Sequence, residues 1–295
     1  MTRLRRRLLS LGALPLAALL LLAACAPVAT LNALVPRDSH RVEPDVAYGE
    51  HPRQRLDIYR PTRSAPPAGW PLAVFFYGGS WNTGDRADYK FVAEALAARG
   101  VVTLVADYRL YPEVRYPDFL VDSARALAYG IENAARLGAD PKRVYVMGHS
   151  AGAYNAAMLA YDPRWLAATH HRPAELAGFI GLAGPYDFLP MTNPDAQPVF
   201  FHPNYPPGTQ PLEHASRAAP RSFLGAPAHD RLVDPQRNTV GLATKLQSLG
   251  VPVTQKLYPR TSHVTLAGAF AGPLRWLAPV LEDVVGFIDE GAARP

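Results

Sequence analysis

The chain has 295 residues, of which 30 are basic and 25 acidic, with 48% apolar composition and a single cysteine. That apolar share over this length supports a sizeable core and argues against an extended or disordered chain. Four of the basic residues and none of the acidic ones precede Cys25, leaving 26 basic against 25 acidic, so no basic run remains to suggest nucleic acid.

The first stretch reads as an export signal. Arg3, Arg5, Arg6 and Arg7 form a charged start, and an apolar run follows from Leu8 to about Leu22. Pro15 interrupts that run, which is short for a membrane span. The ending Leu22-Ala23-Ala24-Cys25 resembles a bacterial lipoprotein signal. The resemblance implies removal of residues 1–24, a lipid on Cys25 and a place in the bacterial cell envelope, periplasm-facing or at the outer membrane. As the lone cysteine, Cys25 has no intramolecular disulfide partner. Residues 25–43 read as a tether, because Pro27, Asn32, Pro36, Arg37, Asp38 and Ser39 break any period. Residues 44–295 read as one domain.

Along that domain, Gln54 to Tyr59 alternates as a half-buried strand and Arg60-Pro61 ends it. Leu72 to Tyr77 and Val101 to Ala106 are continuous apolar runs, as buried parallel strands require. Between them Phe91 to Arg99 reads as a helix closed by Gly100. Pro117 to about Leu137 is a second helix, Val144 to Met147 a strand, and Ala151 to Ala160 a third helix. Phe179 to Ala183 and Phe223 to Ala226 are further strands. Gln236 to Leu249 is a helix, Val253 to Tyr258 a strand, and Leu274 to Asp289 a terminal helix. This alternation predicts an α/β fold with a mostly parallel central sheet and helices on both faces. The stretch 184–220 has nine prolines interleaved with Tyr186, Phe188, Phe200, Phe201 and Tyr205 and no period. It is expected to be either a short lid over the site or a solvated connector.

Gly148-His149-Ser150-Ala151-Gly152 falls between a strand and a helix, the context in which G-x-S-x-G presents a nucleophilic serine on a sharp turn. A serine needs a base and a carboxylate to orient the base. His263 follows the last strand and Asp230 follows the strand before it, in the order Ser, Asp, His. Asp234 is a rival to Asp230, although Asp234-Pro235 also reads as a helix start. Charge developing on a carbonyl oxygen needs backbone N–H donors. One is expected from Ala151 and the others from Tyr77-Gly78-Gly79-Ser80-Trp81, directly after a buried strand.

Those stretches, with Ala106-Asp107-Tyr108-Arg109-Leu110-Tyr111-Pro112-Glu113, resemble the α/β-hydrolase superfamily over roughly Arg55 to Ile288. Within it they are similar to the carboxylesterase group of hormone-sensitive-lipase-like and arylformamidase-like enzymes. The resemblance implies Ser150, His263 and Asp230 as catalytic residues and the amides of Gly79, Ser80 and Ala151 as an oxyanion hole. It implies an ester substrate and no cofactor or metal, and the short lid segment favours a small acyl or aryl ester over a long triglyceride. An amide or formamide hydrolase, a carbohydrate deacetylase and a non-catalytic relative remain as alternatives. Trp81, Tyr154, Tyr186 and Phe188 are expected pocket walls. Two positions depart from the group's pattern. Tyr77 stands where it has histidine, and its hydroxyl is expected to take over a structural hydrogen bond. Pro227 stands where it has glycine, three residues before the acid.

Overall fold

The computed structural model describes residues 26–291, so the expected signal at 1–24 and the lipidation of Cys25 lie outside the described residues. No helix among the described residues is long and apolar enough to cross a membrane. Eight strands form one sheet: β1 (His40–Ala47), β2 (Arg55–Pro61), β3 (Trp70–Phe76), β4 (Val102–Ala106), β5 (Ala139–His149), β6 (Gly178–Leu182), β7 (Ser222–Pro227) and β8 (Val253–Tyr258). Their spatial order is β1-β2-β4-β3-β5-β6-β7-β8. Only the β1–β2 and β2–β4 pairs are antiparallel. From β4 to β8 every neighbouring pair is parallel, as the long apolar runs predict.

The principal helices are α1 (Pro27–Ala33), α2 (Lys90–Ala98), α3 (Asp118–Asn133), α4 (Ala151–Tyr161), α5 (Pro163–Ala167), α6 (Pro211–His214), α7 (Gly241–Ser248), α8 (His263–Gly268) and α9 (Val280–Glu290). Helix α4 is buried along its whole length. Its alanines at 153, 156, 157 and 160 let it lie close under the sheet, where bulkier residues would hold it off. In a parallel sheet the carboxyl ends of the strands form the functional edge. The ends of β3, β5, β7 and β8 lead here into Gly78–Trp81, Ser150, Asp230 and His263.

Three expectations need correction. The stretch from Ala26 to Glu43 is not a bare tether: Pro27–Ala33 is helical, and β1 begins at His40 and pairs with β2. Asn32 fixes α1 in place, donating to the carbonyls of Ala87 and Asp88 and accepting from Phe91 N. Strand β2 is not half-buried. It lies between β1 and β4, and Leu56 through Tyr59 are all buried, with Asp57 held by Arg86 at 2.8 Å. The single helix expected over 274–289 is a 3-10 turn, Gly272–Leu277, followed by α9. Pro279 has no N–H to carry a helix through that point.

Candidate active site

Ser150 sits between β5 and α4 at φ +54° and ψ −123°, a conformation side chains rarely adopt. The surrounding backbone holds it there. Ser150 N donates to Leu182 O at 2.8 Å, and Ala153 N and Tyr154 N donate to Ser150 O. The flanking glycines are required by close approach. A Cβ on Gly152 would lie 2.1 Å from Phe76 O, and one on Gly148 would lie 2.2 Å from Gly152 O.

His263 is the first residue of α8, behind a cap in which the Ser262 hydroxyl accepts from Thr265 N. Its Nδ1 lies 2.7 Å from Asp230 Oδ2 and its Nε2 lies 2.7 Å from Ser150 Oγ. An ionised carboxylate only accepts, so Nδ1 carries the proton and Nε2 is free to accept from the serine hydroxyl. The other Asp230 oxygen accepts from Leu232 N at 2.9 Å and Val233 N at 3.2 Å. Burial pushes the Asp230 carboxyl up, but the His263 hydrogen bond and charge and the two amides outweigh it and hold the group below its usual range. Asp234 goes elsewhere. Its Oδ1 accepts from Gln236 N and Arg237 N and starts the following helical segment. Of the two acids, Asp230 is the one beside His263.

His149 adds a contact that the sequence reading did not assign. Its Nε2 donates to the His263 carbonyl at 2.9 Å, tying the nucleophile turn to the base. The ring is buried, and Nδ1 has no hydrogen-bond partner. Burial, then the neighbouring His263, lowers its pKa to about 3, so the ring is neutral wherever an esterase would normally work.

The expected donor loop lies beside the serine. Gly79, Ser80 and Trp81 all have positive φ, and Asn82 N and Thr83 N both donate to Gly79 O at 3.0 Å. That reversal engages the carbonyl of Gly79. Among the described residues the N–H groups of Gly79, Ser80 and Ala151 have no acceptor, and all three residues line cavities that contain Ser150 and His263. Tyr77 is buried beneath the loop. Its hydroxyl donates to Asp107 Oδ1 at 2.7 Å and accepts from Arg53 Nη2 at 2.6 Å. Asp107 is also paired with Arg86, and Arg53 donates to Gly84 O. The tyrosine thus anchors the loop through buried, charge-assisted hydrogen bonds.

A pocket of about 280 Å3 opens on one side of Ser150, with Trp81, Phe188, Met191 and Asn193 in its wall. The segment 184–220 covers it. Asn193 Nδ2 donates to Ser80 Oγ, and Asn238 Oδ1 accepts from Tyr186 N and Asp187 N. Gln210 Oε1 accepts from Phe188 N and Leu189 N. These bonds make the segment a fixed cap rather than a solvated connector. Trp81 and Phe188 line the pocket as expected, but Tyr154 and Tyr186 do not. Tyr154 is buried behind Trp81, edge-on at 5.2 Å, with its hydroxyl on Thr209 O. Tyr186 is buried against Phe179 and the Gly181 and Gly184 backbone. Asn193, Leu232 and the α1 residues are site-lining groups that the sequence reading missed. Only Pro27 at the start of α1 and the Val28/Leu31 spacing hinted at an amphipathic turn there.

The eight-stranded sheet, the strained serine turn and the Ser–His–Asp chain define an α/β hydrolase. The chain belongs to the BD-FAE family, whose sequence profile matches residues 56–239. Among curated proteins it is 32% identical over 160 residues to a probable isoprenylcysteine alpha-carbonyl methylesterase of Oryza sativa subsp. japonica, covering 52% of this chain and 37% of that one. It is 31% identical over 193 residues to esterase LipC of Mycobacterium tuberculosis, covering 59% of this chain and 48% of the relative. The chain therefore spans about a third to a half of the length of these relatives. Among solved structures, esterase B of Lactobacillus rhamnosis has the same fold, with a TM-score of 0.74 at 18% identity over 94% of this chain and 96% of that one.

Proposed function

We propose that the protein is a serine hydrolase of carboxylic esters, with Ser150 as nucleophile, His263 as general base and acid, and Asp230 as the group that orients His263. The observation that carries this is the unbroken chain from Asp230 Oδ2 through the His263 ring to Ser150 Oγ, each link 2.7 Å. Ser150 Oγ bonds to the ester carbonyl carbon while its proton passes to His263 Nε2. The N–H groups of Gly79, Ser80 and Ala151 receive the oxyanion. The carbon–oxygen bond to the alcohol then breaks, and Nε2 returns the proton to the departing alkoxide. Water, deprotonated by Nε2, attacks the acyl-enzyme and releases the acid and free Ser150. The small pocket under the cap suits one short arm of the ester, in line with the short acyl or aryl group expected above. The names of the relatives, both esterases, support the same reaction class.

The protein works in the bacterial cell envelope on this reading, held by a lipid on Cys25. The support is sequence alone: the arginine-rich start, the short apolar run and the Leu-Ala-Ala-Cys ending. The enzymatic reading is tested with p-nitrophenyl acetate and an acetanilide of matched size. Wild type should hydrolyse the ester at least about 100-fold faster than the anilide, and Ser150→Ala should lose at least about a thousandfold on the ester. Faster anilide hydrolysis would move the protein to the amidases. Full ester activity in Ser150→Ala would remove the mechanism.

A further inference from the structure

A second, larger cleft of about 540 Å3 leaves Ser150 on the side away from the cap. It meets the small pocket at Ser80, Ser150 and His263, with Leu232 on the wall of both. Its apolar walls come from separate pieces of chain: Val28 and Leu31 from α1, Tyr89 and Phe91 at the start of α2, Val264 from α8 and Leu274 from the 3-10 turn. The lining carries one carboxylate, Asp88, and no lysine or arginine among the described residues. A charged or strongly hydrated group would find no counter-charge along it beyond that carboxylate.

The mouth is apolar as well. Seven large apolar side chains are exposed among the described residues, and three of them, Val28, Leu232 and Val264, line this one cleft. Exposed apolar groups gathered around a catalytic groove mark where an apolar partner is taken out of water. The groove is continuous with the reacting serine, which makes its occupant a part of the substrate itself. Asn32 ties α1 to the chain around Tyr89 by three hydrogen bonds, so the α1 wall is part of the fold.

The geometry points to an asymmetric substrate: an ester with one short arm in the pocket under the cap and one long apolar arm in the cleft beside α1. Its class is a lipophilic ester, and α1 is a specificity wall. This deepens the serine-hydrolase reading and rests on it. The wall begins at Pro27, two residues after the cysteine expected to carry lipid, so a tethered molecule would present this mouth close to a lipid surface.

Two homologous series test it on the full chain, both kept monomeric: p-nitrophenyl esters from acetyl to decanoyl, and alkyl acetates from ethyl to decyl. Full burial of a methylene corresponds to about a fourfold gain in kcat/KM. One series should climb by about twofold or more per methylene, and the other should fall once the arm outgrows the small pocket. Which series climbs tells whether the cleft takes the acyl or the alcohol side. If neither climbs, the inference is overturned while the esterase reading stands. If no ester is cleaved and Ser150 takes no fluorophosphonate, the underlying reading fails and the inference falls with it. Val28 is exposed, so the fold can carry Val28→Arg, which should lower the long-to-short ratio in the climbing series by about tenfold. Val28→Leu should keep the ratio within about twofold. An unchanged ratio in Val28→Arg would remove α1 from substrate selection.

Discussion

Asp230→Asn isolates the orienting carboxylate from every other part of the site. The change is nearly isosteric, and the surroundings dictate how the amide must sit. Leu232 N and Val233 N both donate to Asp230 Oδ1, so the asparagine carbonyl must face them. Its NH2 then faces His263 Nδ1 across the 2.7 Å contact. That group only donates, so Nδ1 must become the acceptor and the ring proton moves to Nε2. An Nε2–H pointing at Ser150 Oγ cannot take the serine proton. In Ser–His–Asp enzymes generally this tautomer change lowers kcat by about 10⁴, or roughly 5–6 kcal/mol of barrier. KM should change little, because Asp230 is buried behind His263 and lines neither cavity. Steady-state hydrolysis of a soluble p-nitrophenyl ester measures this, with a thermal melt to show that the fold survives. Asp234→Asn serves as the internal comparison, and its loss should stay within about threefold, the scale of a weakened helix cap. Activity within tenfold of wild type in Asp230→Asn would refute the tautomer argument. A large loss in Asp234→Asn alone would move the role to that residue.

Three further outcomes follow from the same geometry. Tyr77→Phe leaves Arg53 and Asp107 short of one buried hydrogen bond each, which costs about 1–3 kcal/mol. At about 2–4 °C per kcal/mol, calorimetry should find the Tm lowered by roughly 2–12 °C; an unchanged Tm would mean that the hydroxyl anchors nothing. His149→Gln keeps a donor for the His263 carbonyl but removes the titrating ring. In wild type the unfolded ring gains its proton near pH 6.5 while the folded one resists until about pH 3, so acidification between those values favours unfolding by about 1.4 kcal/mol per pH unit. Urea unfolding at pH 7, 5 and 4 should therefore show a shallower acid loss in the variant, and parallel curves would contradict the buried neutral ring. Gly152→Ala forces a methyl to within 2.1 Å of Phe76 O and should yield insoluble or strongly destabilised protein, scored by soluble expression and melting.

What could be read from the sequence was what local chemistry fixes. The serine turn needs small residues at two set positions and a strand–helix context, all within one short stretch. The parallel strands show as unbroken apolar runs because both of their faces are covered. Features that depend on distant partners were not legible. Strand β1, His40–Ala47, is a polar edge strand whose exposed pattern has no clean alternation, and only its pairing with β2 makes it a strand. Asp57 looks like a solvent-facing residue until Arg86, from the 3-10 turn Arg86–Tyr89 beyond β3, covers it. Helix α1 has seven residues, too few to display a period, and Asn32 and the apolar chain beneath it hold it in place. Tyr154 and Tyr186 lie near the serine in sequence or in the cap, where an aromatic can be pocket wall or core. Their packing behind Trp81 and against Phe179 settles that, and spacing cannot.

The most direct measurement is the intact mass of the protein after exposure to a fluorophosphonate, followed by peptide mapping. An activated serine held 2.7 Å from His263 Nε2 should add one phosphonyl group, on Ser150, within minutes. Ser150→Ala should add none, and Asp230→Asn should label far more slowly. A wild-type protein that stays unmodified, or that carries the group on another residue, would contradict the assignment of Ser150 as an activated nucleophile.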